Sequence, residues 1–529
     1  MSEGAPGAFD EALYLRLNPD VLAAVKAGSF SSGREHYERY GRAEGRPTVL
    51  PPAAARDRVV LNADPARYVG KSAAPPGMLD HVKISSTGGI YVTGWVDDSR
   101  DKLVSADLYF PAWSISFSAA SMARIRRPDA EAAIGMATPH DCGFWGFLYA
   151  ARPLPATICN AVIRLQSGAE LQAVITVEAM EDDELRAAAL SRLAMAAYVG
   201  EHYTSAVQSL EAAIGRQLLG FNKALTQRAV QAPYVERFGR HDARYKGSVI
   251  TCLFGNIELM PVQQATFAHQ RGMAAYEFIY VCNSPLAAEP LLREAKLSAL
   301  IYGLDITVII LSGNAGFSAA NNLAAQYARS LRLLFVNPDV FPRGADWAAR
   351  HDAVVEALPA AQTALFGAPL YYDDGALMHG GMYIERDTAP RFGPHGCAET
   401  VALRVEHYGK GAPPDTRPYI RPRPVPAVTG AFISTARGWF ESLGGFTEDY
   451  IFGHYEDADL CLKSLQAGCP AWLQPVALWH LEGKGGARAA QHEGGAIVNR
   501  WLFTKRWAAL AAQGLLGPHP SHPALVVAE

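Results

Sequence analysis

The fold is decided by four short apolar runs: residues 247–256 (GSVITCLFGN), 276–285 (YEFIYVCNSP), 305–314 (DITVIILSGN) and 332–341 (RLLFVNPDVF). In each stretch, small or polar residues follow the apolar run. Helix-length segments such as 260–274 lie between the stretches. Continuous apolar strands that alternate with helices are typical of a parallel sheet covered by helices. The sequence therefore predicts an α/β fold with a parallel-centred mixed sheet.

Polar residues stand where these predicted strands end. Ligands of such sheets bind beyond the carboxyl ends of the strands. We therefore expect one edge of the sheet to carry Asn256, Asn283, Asn314, Asn337 and Asp339. No G-x-G-x-x-G and no G-x-x-x-x-G-K-[ST] follows a predicted strand, which argues against a dinucleotide oxidoreductase and a P-loop nucleotidase.

The strand end Asn337-Pro338-Asp339 offers an amide oxygen and a carboxylate. Hard oxygen ligands suit Mg²⁺ or Mn²⁺ that bridges two phosphates. The alternative is an ordinary Asn/Asp turn after a strand, which residue pattern alone favours.

Residues 453–473 (GHYEDADLCLKSLQAGCPAWL) place three acids at the start of a predicted helix, namely Glu456, Asp457 and Asp459. Acids in a first helical turn commonly serve as caps or as partners of the helix dipole. They also provide a general base when the helix overlooks a cleft. Downstream, His480 follows a predicted strand, where a neutral imidazole is able to ligate a metal.

Taken in order along the chain, these stretches resemble family 2 glycosyltransferases of the bacterial GT-A type, particularly rhamnosyltransferase-like enzymes of surface polysaccharide synthesis. The resemblance covers about residues 248–507. Its matching blocks are SVITCLFGN (248–256), NAGFSAANNLAAQYARSLRLLFVNPDVFP (314–342), YYDDGALMHGGMYI (371–384) and the acceptor-side block from Val428 to His480.

The resemblance implies a role for each matching residue. Asp339 would be the direct metal ligand in the family's D-x-D, with Asn337 at its first position and His480 completing the site. Asp457 would be the catalytic base, supported by Glu456. Nucleotide contacts would come from Asn256, Asn283 and Asn314, and the floor beneath donor and acceptor from Thr429, Gly430 and Ala431.

The implied activity is a single inverting displacement that requires Mn²⁺ or Mg²⁺. The donor would be a nucleotide-diphosphate sugar, with UDP- and dTDP-sugars favoured, and the acceptor a hydroxyl of a glycan or glycolipid. An alternative stays open: a catalytically degenerate glycan-binding or scaffold protein. Asn337 and Asn283 favour that alternative, because each stands where the family has Asp, whereas the E-D-x-D-L-C-L block opposes it.

The remaining sequence suggests accessory modules. The expected organisation is a helical hairpin (1–46), a linker (47–77), an antiparallel β-sandwich (78–180), a helical connector (181–245), the GT-A domain (246–510) and a tail (511–529). Aromatic residues of the sandwich suggest either a sugar-stacking face or, in the favoured interpretation, core packing: Tyr91, Trp95, Trp113, Phe144, Trp145 and Phe147.

Composition bounds the partners. A 529-residue chain with 49% hydrophobic residues is globular, and a formal charge of −4 gives no global basic field to hold nucleic acid. The N-terminal stretch lacks a signal-like pattern and no apolar run reaches about 18 residues. We therefore expect a cytoplasmic protein, with peripheral association at the inner face of the membrane left open.

Overall fold

The structure is a computed structural model of the chain. It describes residues 11, 14–15, 18–26, 28–42, 58–60, 76–135, 140–154, 157–199, 207, 210–241, 244–255, 257–357, 363–393, 396–481 and 489–513. The chain divides into two compact units. One is drawn from 1–189 and 208–218, and the other from 190–207 and 219–529.

The first unit begins with two short helices, α1 (Pro19–Lys26) and α2 (Gly33–His36), and a π-helical turn, Tyr37–Gly41, follows α2 directly. Gly28, at φ 78°, adopts the left-handed backbone that favours glycine where the chain turns after α1. Buried Tyr14 and His36 meet through a 3.0 Å hydrogen bond between the tyrosine hydroxyl and Nδ1. These contacts hold the second helix against the residues that precede the first.

The rest of the first unit is mainly β structure. Its strands are β1 (Arg58–Val60), β2 (Gly77–Ser85), β3 (Gly89–Val96), β4 (Leu103–Tyr109), β5 (Ser114–Ser118), β6 (Ala123–Ile125), β7 (Gly143–Tyr149), β8 (Ile158–Leu165) and β9 (Glu170–Met180), with helix α3 (Pro128–Ile134) after β6. Strand β1 lies within the predicted linker.

Strand β9 joins the two halves of this β structure. Its residues 170–176 pair antiparallel with β8, and its residues 177–180 pair parallel with β2. The other pairings are antiparallel, apart from β1, which runs parallel to β9. A strand of 11 residues is long enough to serve both halves in turn, and alternate residues of the paired strands fill one apolar core.

The aromatic side chains of this unit are core residues. Five of them are at most 7% exposed: Tyr91, Trp95, Phe144, Trp145 and Phe147. The sixth, Trp113, stacks on Phe110 with ring centroids 3.6 Å apart. The core-packing interpretation is therefore confirmed for the five buried rings, which present no face to a sugar.

Two longer helices follow, α4 (Asp182–Val199) and α5 (Gly215–Val230), with a π-helical turn, Leu210–Ile214, directly before α5. The Ala- and Leu-rich sequence of this region predicts helix because these residues have high helix propensity. Both helices cross from one compact unit into the other along the chain.

The second unit contains a nine-stranded mixed sheet among its described residues. In spatial order its strands are β10 (Tyr234–Phe238), β13 (Asp305–Ile310), β12 (Tyr276–Cys282), β11 (Gly247–Leu253), β14 (Arg332–Val336), β22 (Phe432–Ala436), β16 (Leu365–Gly367), β23 (Ala471–Leu473) and β21 (Arg423–Val425). The four strands from β13 to β14 are parallel, and they are the four apolar runs of the sequence. The predicted α/β fold with a parallel-centred mixed sheet is confirmed.

Helices connect and cover the strands of this unit. They are α6 (Leu259–Ala268), α7 (Ala288–Tyr302), α8 (Gly316–Tyr327), α9 (Trp347–Ala357), α10 (Arg417–Ile420), α11 (Arg437–Ser442), α12 (Glu456–Gln466) and α13 (Ala490–Ala512). Strand β12 follows β11 on one side of the sheet, while β14 pairs with β11 on the other. A crevice for ligands is expected beyond the carboxyl ends of β11 and β14, where the strand order reverses.

A smaller sheet adjoins the end of β14. It contains β15 (Val340–Pro342), β24 (Leu478–His480), β17 (Leu370–Tyr371) and β18 (Leu377–His379) in that order. A long hairpin, β19 (Met382–Gly393) with β20 (Gly396–His407), follows β18 in the chain. The sequence did not predict this hairpin.

Within the described ranges, none of the helices has the length and apolar character needed to cross a bilayer.

Candidate functional site

The segment after β14 brings Asn337 and Asp339 to the expected crevice. Main-chain N–H of Asn337 donates to the carbonyl of Ala431 at 3.0 Å, and the Asn337 side chain is half-buried. Strands β14 and β22 are antiparallel, so the end of one meets the start of the other at Val336 and Phe432. The predicted metal segment and the predicted floor, Thr429 to Ala431, are therefore neighbours.

A buried glutamine that sequence reasoning missed holds this segment in place. Gln263, on α6, is fully buried and donates through Nε2 to the carbonyls of Asn337 (2.7 Å) and Val340 (3.2 Å). A Gln on an apolar helix gives no sequence signal of such a role, since these two carbonyls lie more than 70 residues away in the chain.

Asp339 and His480 lie side by side, as the resemblance implies. Strand β15 pairs antiparallel with β24, with Val340 opposite His480, and the Leu481 N–H donates to the Asp339 carbonyl at 3.0 Å. Asp339 Oδ1 is 3.3 Å from His480 Nε2, and each residue is 6% exposed. His480 Nδ1 is buried and has no hydrogen-bond partner among the described residues.

The Asp339–His480 pair fits a divalent ion that takes its other ligands from substrate phosphates and water. Two atoms that bind one ion at about 2.1 Å and at right angles lie about 3 Å apart, close to the observed separation. Within the described part of the chain, no group of three or more His, Cys, Asp or Glu side chains is arranged to hold a metal. Mg²⁺ sites commonly use one or two protein ligands and complete the shell with substrate phosphates and water.

His379 of the small sheet lies on the same face as His480 and pairs with His407 of the long hairpin. Leu370 of β17 pairs with both His379 and Leu478, so His379 and His480 share a face. His379 is fully buried, and its Nδ1 is 2.9 Å from Nδ1 of His407. Burial and the neighbouring His407 hold the pKa of His379 well below its usual value, so this imidazole is neutral. The sequence block around His379 matched the resemblance, but no role was predicted for it.

Asn283 and Asn314 shape the backbone at the edge of the sheet. Asn283 Oδ1 accepts from the Ala315 N–H at 3.0 Å, and Nδ2 donates to the Gly316 carbonyl at 3.0 Å. Asn314 Oδ1 accepts from the Gly316 N–H at 2.9 Å. Asn283 is only 2% exposed, so in this structure its amide braces the turn before α8. Nucleotide contact by either residue stays a prediction, and Asn256 lies outside the described residues.

The predicted floor and the predicted base are in direct contact. The Gly430 N–H donates to Asp457 Oδ2 at 2.8 Å, and Asp457 Oδ1 accepts from the Ala458 N–H at 2.7 Å. Thr429 Oγ1 lies 3.4 Å from the Ala431 N–H that points toward it. Asp457 is half-buried at the first turn of α12, where the helix dipole favours a carboxylate.

Glu456 and Asp457 occupy different environments although they are adjacent. Burial raises the pKa of Asp457 above its usual value, an effect opposed by the Gly430 and Ala458 N–H groups. Burial and the charge of Asp457 raise the pKa of Glu456 well above its usual value. Glu456 is 5% exposed, and its Oε2 has no hydrogen-bond partner among the described residues. The protonated acid is therefore the favoured form of Glu456, and Asp457 is the better base.

The third acid, Asp459, is a structural hub. It is fully buried and accepts hydrogen bonds from Thr447 Oγ1 (2.6 Å), Tyr450 OH (3.1 Å), Arg506 Nε (2.8 Å) and Trp507 Nε1 (2.8 Å). Each bond satisfies a buried carboxylate that would otherwise be costly. Asp459 therefore ties α12 to α13 and is not available for chemistry.

Sequence comparison with known proteins finds similarity over part of the chain. No protein-family model matches the chain. The uncharacterized protein y4gI of Sinorhizobium fredii (strain NBRC 101917 / NGR234) is 30% identical over 212 residues, which are 39% of this chain. The chain spans about a fifth (21%) of that relative's length.

The solved structures that are similar to the chain include three with TM-scores between 0.30 and 0.34. GalNAc-T7, solved with UDP, GalNAc and Mn²⁺, is 14% identical, with a TM-score of 0.34 over 50% of this chain and 48% of its own. The mannosyltransferase PcManGT from Pyrobaculum calidifontis, in complex with GDP-Man and Mn²⁺, is 16% identical, with a TM-score of 0.32 over 64% and 90%. S. aureus TarS is 13% identical, with a TM-score of 0.30 over 45% and 36%. These similarities are low, so any assignment of activity depends on the chain's own residues.

Proposed function

We propose that residues 246–510 form a GT-A type, family 2-like glycosyltransferase domain that transfers a sugar, with inversion, from a nucleotide-diphosphate donor to a hydroxyl of a glycan or glycolipid. The observation that carries this proposal is the meeting of two groups at one edge of the sheet. The Asn337–Asp339 segment bonds to Ala431, and the adjacent Gly430 bonds to Asp457. A paired Asp and His and a half-buried carboxylate with a raised pKa thus flank the same three-residue floor.

Each group has a distinct task in the proposed reaction. Asp339 and His480 would hold a divalent ion, Mn²⁺ or Mg²⁺, on the donor diphosphate. When bound, that ion supplies charge neutralisation for the departing diphosphate. The half-buried side chain of Asn337 would contact the nucleotide. The backbone shaped by Asn283 and Asn314 would contact it as well.

Asp457 performs the proton transfer. It takes the proton of the acceptor hydroxyl while that oxygen forms a bond to the anomeric carbon of the donor sugar. The bond from the anomeric carbon to the diphosphate breaks, and the nucleoside diphosphate leaves with the electron pair. The Gly430 N–H fixes one carboxylate oxygen and thereby the direction of the other. Glu456, which precedes Asp457 in the chain, is buried and protonated, so it places no second negative charge beside the base.

The finer assignments follow from the sequence resemblance. We propose a UDP- or dTDP-sugar as donor, rhamnosyl or hexosyl transfer, and a place in bacterial surface polysaccharide synthesis at the cytoplasmic side of the membrane. The domain boundaries at 46, 77, 180, 245 and 510 and the accessory role of the N-terminal modules belong to the same proposal. The formal charge of −4 over the whole chain gives no global basic field for a nucleic-acid partner, so we propose none.

The test is release of nucleoside diphosphate from a panel of UDP-, dTDP- and GDP-sugars in the presence of Mn²⁺, first with water and then with candidate glycans as acceptors. The proposal expects one nucleotide class to be turned over by the wild-type chain and not by Asp457→Asn. Binding of glycans without turnover of any donor would instead support the degenerate scaffold.

A further inference from the structure

The five residues before Asp457's helix form a strained loop. In this segment, 451–455, three residues other than glycine have left-handed backbones: Phe452 (φ 61°), His454 (φ 81°) and Tyr455 (φ 76°). Side chains make this region unfavourable, so three instances in four consecutive residues persist only where surrounding contacts impose them. Strained segments of this kind concentrate at functional sites.

One side chain makes several hydrogen bonds to the backbone of this loop. Asn499, on α13, is fully buried. Its Oδ1 accepts from the Ile451 N–H at 2.8 Å, and its Nδ2 lies within hydrogen-bond distance of three carbonyls: Ile451 (2.9 Å), Gly453 (2.7 Å) and His454 (3.2 Å). A single amide thus contacts the backbone of three of the five loop residues.

The loop also contacts both sides of the proposed site. The Phe452 carbonyl accepts from the Phe317 N–H at 2.6 Å, at the start of α8. Gly316, at φ 75°, approaches the same backbone so closely that an added Cβ would lie 3.2 Å from the Phe452 oxygen. On the other side, the loop leads directly into α12, whose Asp457 reaches the Gly430 N–H. The loop therefore joins the turn on the donor side to the proposed base.

We propose that Asn499 is a positioning residue for the transfer reaction. It holds the 451–455 loop in its left-handed form, and the loop in turn sets Asp457 against Gly430 and the α8 turn against Phe452. Asn499 lies outside the matching blocks from which the site residues were predicted. This inference rests on the proposed function for its kinetic consequence, while its structural consequence is measurable without any activity.

A matched control separates positioning from plain stability. Trp507 lies on the same helix and donates through Nε1 to buried Asp459 on α12 at 2.8 Å. Trp507→Phe removes the buried hydrogen bond between α13 and Asp459 of α12, but it removes no hydrogen bond to the loop. Asn499→Ala removes every contact of the amide with the loop while leaving the Asp459 hub intact.

The first measurement is steady-state transfer at a temperature well below unfolding for the wild-type chain and both variants. Asn499→Ala is expected to lower kcat on the order of 100-fold, because a misplaced base slows the chemical step, and to raise donor KM by a smaller factor, because the α8 turn on the donor side loses its contact with Phe452. Trp507→Phe is expected to keep kcat near the wild-type value. Equal kcat losses in the two variants, or an unchanged kcat in Asn499→Ala, would overturn the proposal.

The second measurement is amide hydrogen exchange at Phe317 and Gly430, whose N–H groups bond to the Phe452 carbonyl and to Asp457. Both amides are expected to exchange at least tenfold faster in Asn499→Ala and at the wild-type rate in Trp507→Phe. Unchanged exchange in Asn499→Ala refutes the positioning role whether or not the chain transfers sugar. If exchange changes as expected but the wild-type chain turns over no donor, the proposed function fails and the structural coupling stands.

Discussion

Adjacent carboxyl groups in different environments are the main feature of the proposed site at the scale of residues. Asp457 is half-buried and bonded to two N–H groups, whereas Glu456 is buried with one oxygen unbonded among the described residues. Their pKa values are raised by burial, but far more so for Glu456, which also faces the charge of Asp457. Position in the E-D pair therefore decides which acid is ionised.

This difference predicts contrasting effects of two isosteric substitutions. Asp457→Asn removes the base and is expected to lower kcat by about 10²- to 10⁴-fold. Glu456→Gln replaces a protonated acid by a neutral group of the same shape and is expected to change kcat by less than about tenfold. Donor turnover of the two variants at one pH is the measurement, with nucleotide affinity as the control for folding. A larger loss in Glu456→Gln than in Asp457→Asn would reverse the assignment.

A buried histidine away from the site predicts acid sensitivity of the fold. His351 is fully buried, donates through Nδ1 to Gln474 Oε1 and bonds through Nε2 to the Ser434 hydroxyl, both at 2.9 Å. Burial lowers its pKa to about 4, against 6.5 in the unfolded chain. As pH falls from 6.5 toward 4, the unfolded chain binds a proton that the folded chain does not, and the free energy of unfolding decreases by about 3 kcal/mol.

The check is urea unfolding of the wild-type chain and His351→Gln at several values of pH. The variant is expected to be less stable at neutral pH but to lose less stability than the wild-type chain between pH 6.5 and 4. Parallel pH profiles for the two proteins would show that His351 does not carry this dependence.

At the scale of elements, hydrogen bonds between residues far apart in the chain hold the proposed site in place. Gln263 on α6 is the brace of the proposed metal segment, through the carbonyls of Asn337 and Val340. Gln263→Leu leaves those two carbonyls without this donor, so Asp339 is held less firmly. We expect Mn²⁺-dependent nucleotide affinity to fall about tenfold, which is the effect of roughly 1.4 kcal/mol.

A matched variant exists close by in the chain. The side-chain oxygen of Gln270 accepts from the main-chain N–H of Trp347 at 2.9 Å, and Gln270 has no hydrogen bond to the metal segment. Calorimetric titration with Mn²⁺ and nucleotide is expected to give wild-type affinity for Gln270→Leu. Equal losses for both glutamines would indicate a general loss of packing rather than a brace of the segment.

The C-terminal helix depends on a close approach that only glycine permits. A Cβ added at Gly494 of α13 would lie 1.9 Å from the carbonyl oxygen of Leu190 on α4. Gly494→Ala is therefore expected to destabilise the chain by about 1–3 kcal/mol through overpacking, although alanine favours helix. Chemical unfolding of this variant beside Gly438→Ala, where an added Cβ meets nothing within 4 Å, is the comparison. Equal stability of the two would contradict the observed helix contact.

The elements that sequence patterns predicted are those with local signals. The four parallel strands match the four apolar runs, and the helix of Glu456 to Gln466 follows its acidic first turn and apolar stripe. The β19–β20 hairpin and the change of partner along β9 were missed, because both depend on pairing between distant segments rather than on local periodicity.

The candidate site divides in the same way. Asp339, His480, Gly430 and Asp457 were identified by motif order, and the structure brings each pair together, while their chemical roles remain to be tested. Gln263 and Asn499 were missed, since each bonds to backbone groups 45 or more residues away and no motif marks a buried amide. Asn283 illustrates the converse, because its position at a strand end suggested a ligand contact while its amide is occupied within the protein.

For the whole molecule, the second unit combines an α/β sheet whose strand order reverses between β11 and β14 with two groups of polar side chains on either side of one floor. The first unit has a filled β core in which five aromatic rings are buried. Its role in the proposed reaction is therefore not sugar stacking by those rings. In the proposed function, the second unit binds a nucleotide-diphosphate donor through a divalent ion held by Asp339 and His480.

The most direct test is calorimetric titration of UDP, dTDP and GDP into the full chain, with and without Mn²⁺, for the wild type and for Asp339→Ala. We expect that one nucleotide binds only with Mn²⁺ and that Asp339→Ala loses this binding. Absence of binding by all three nucleotides, or Mn²⁺-dependent binding that Asp339→Ala retains in full, would contradict it.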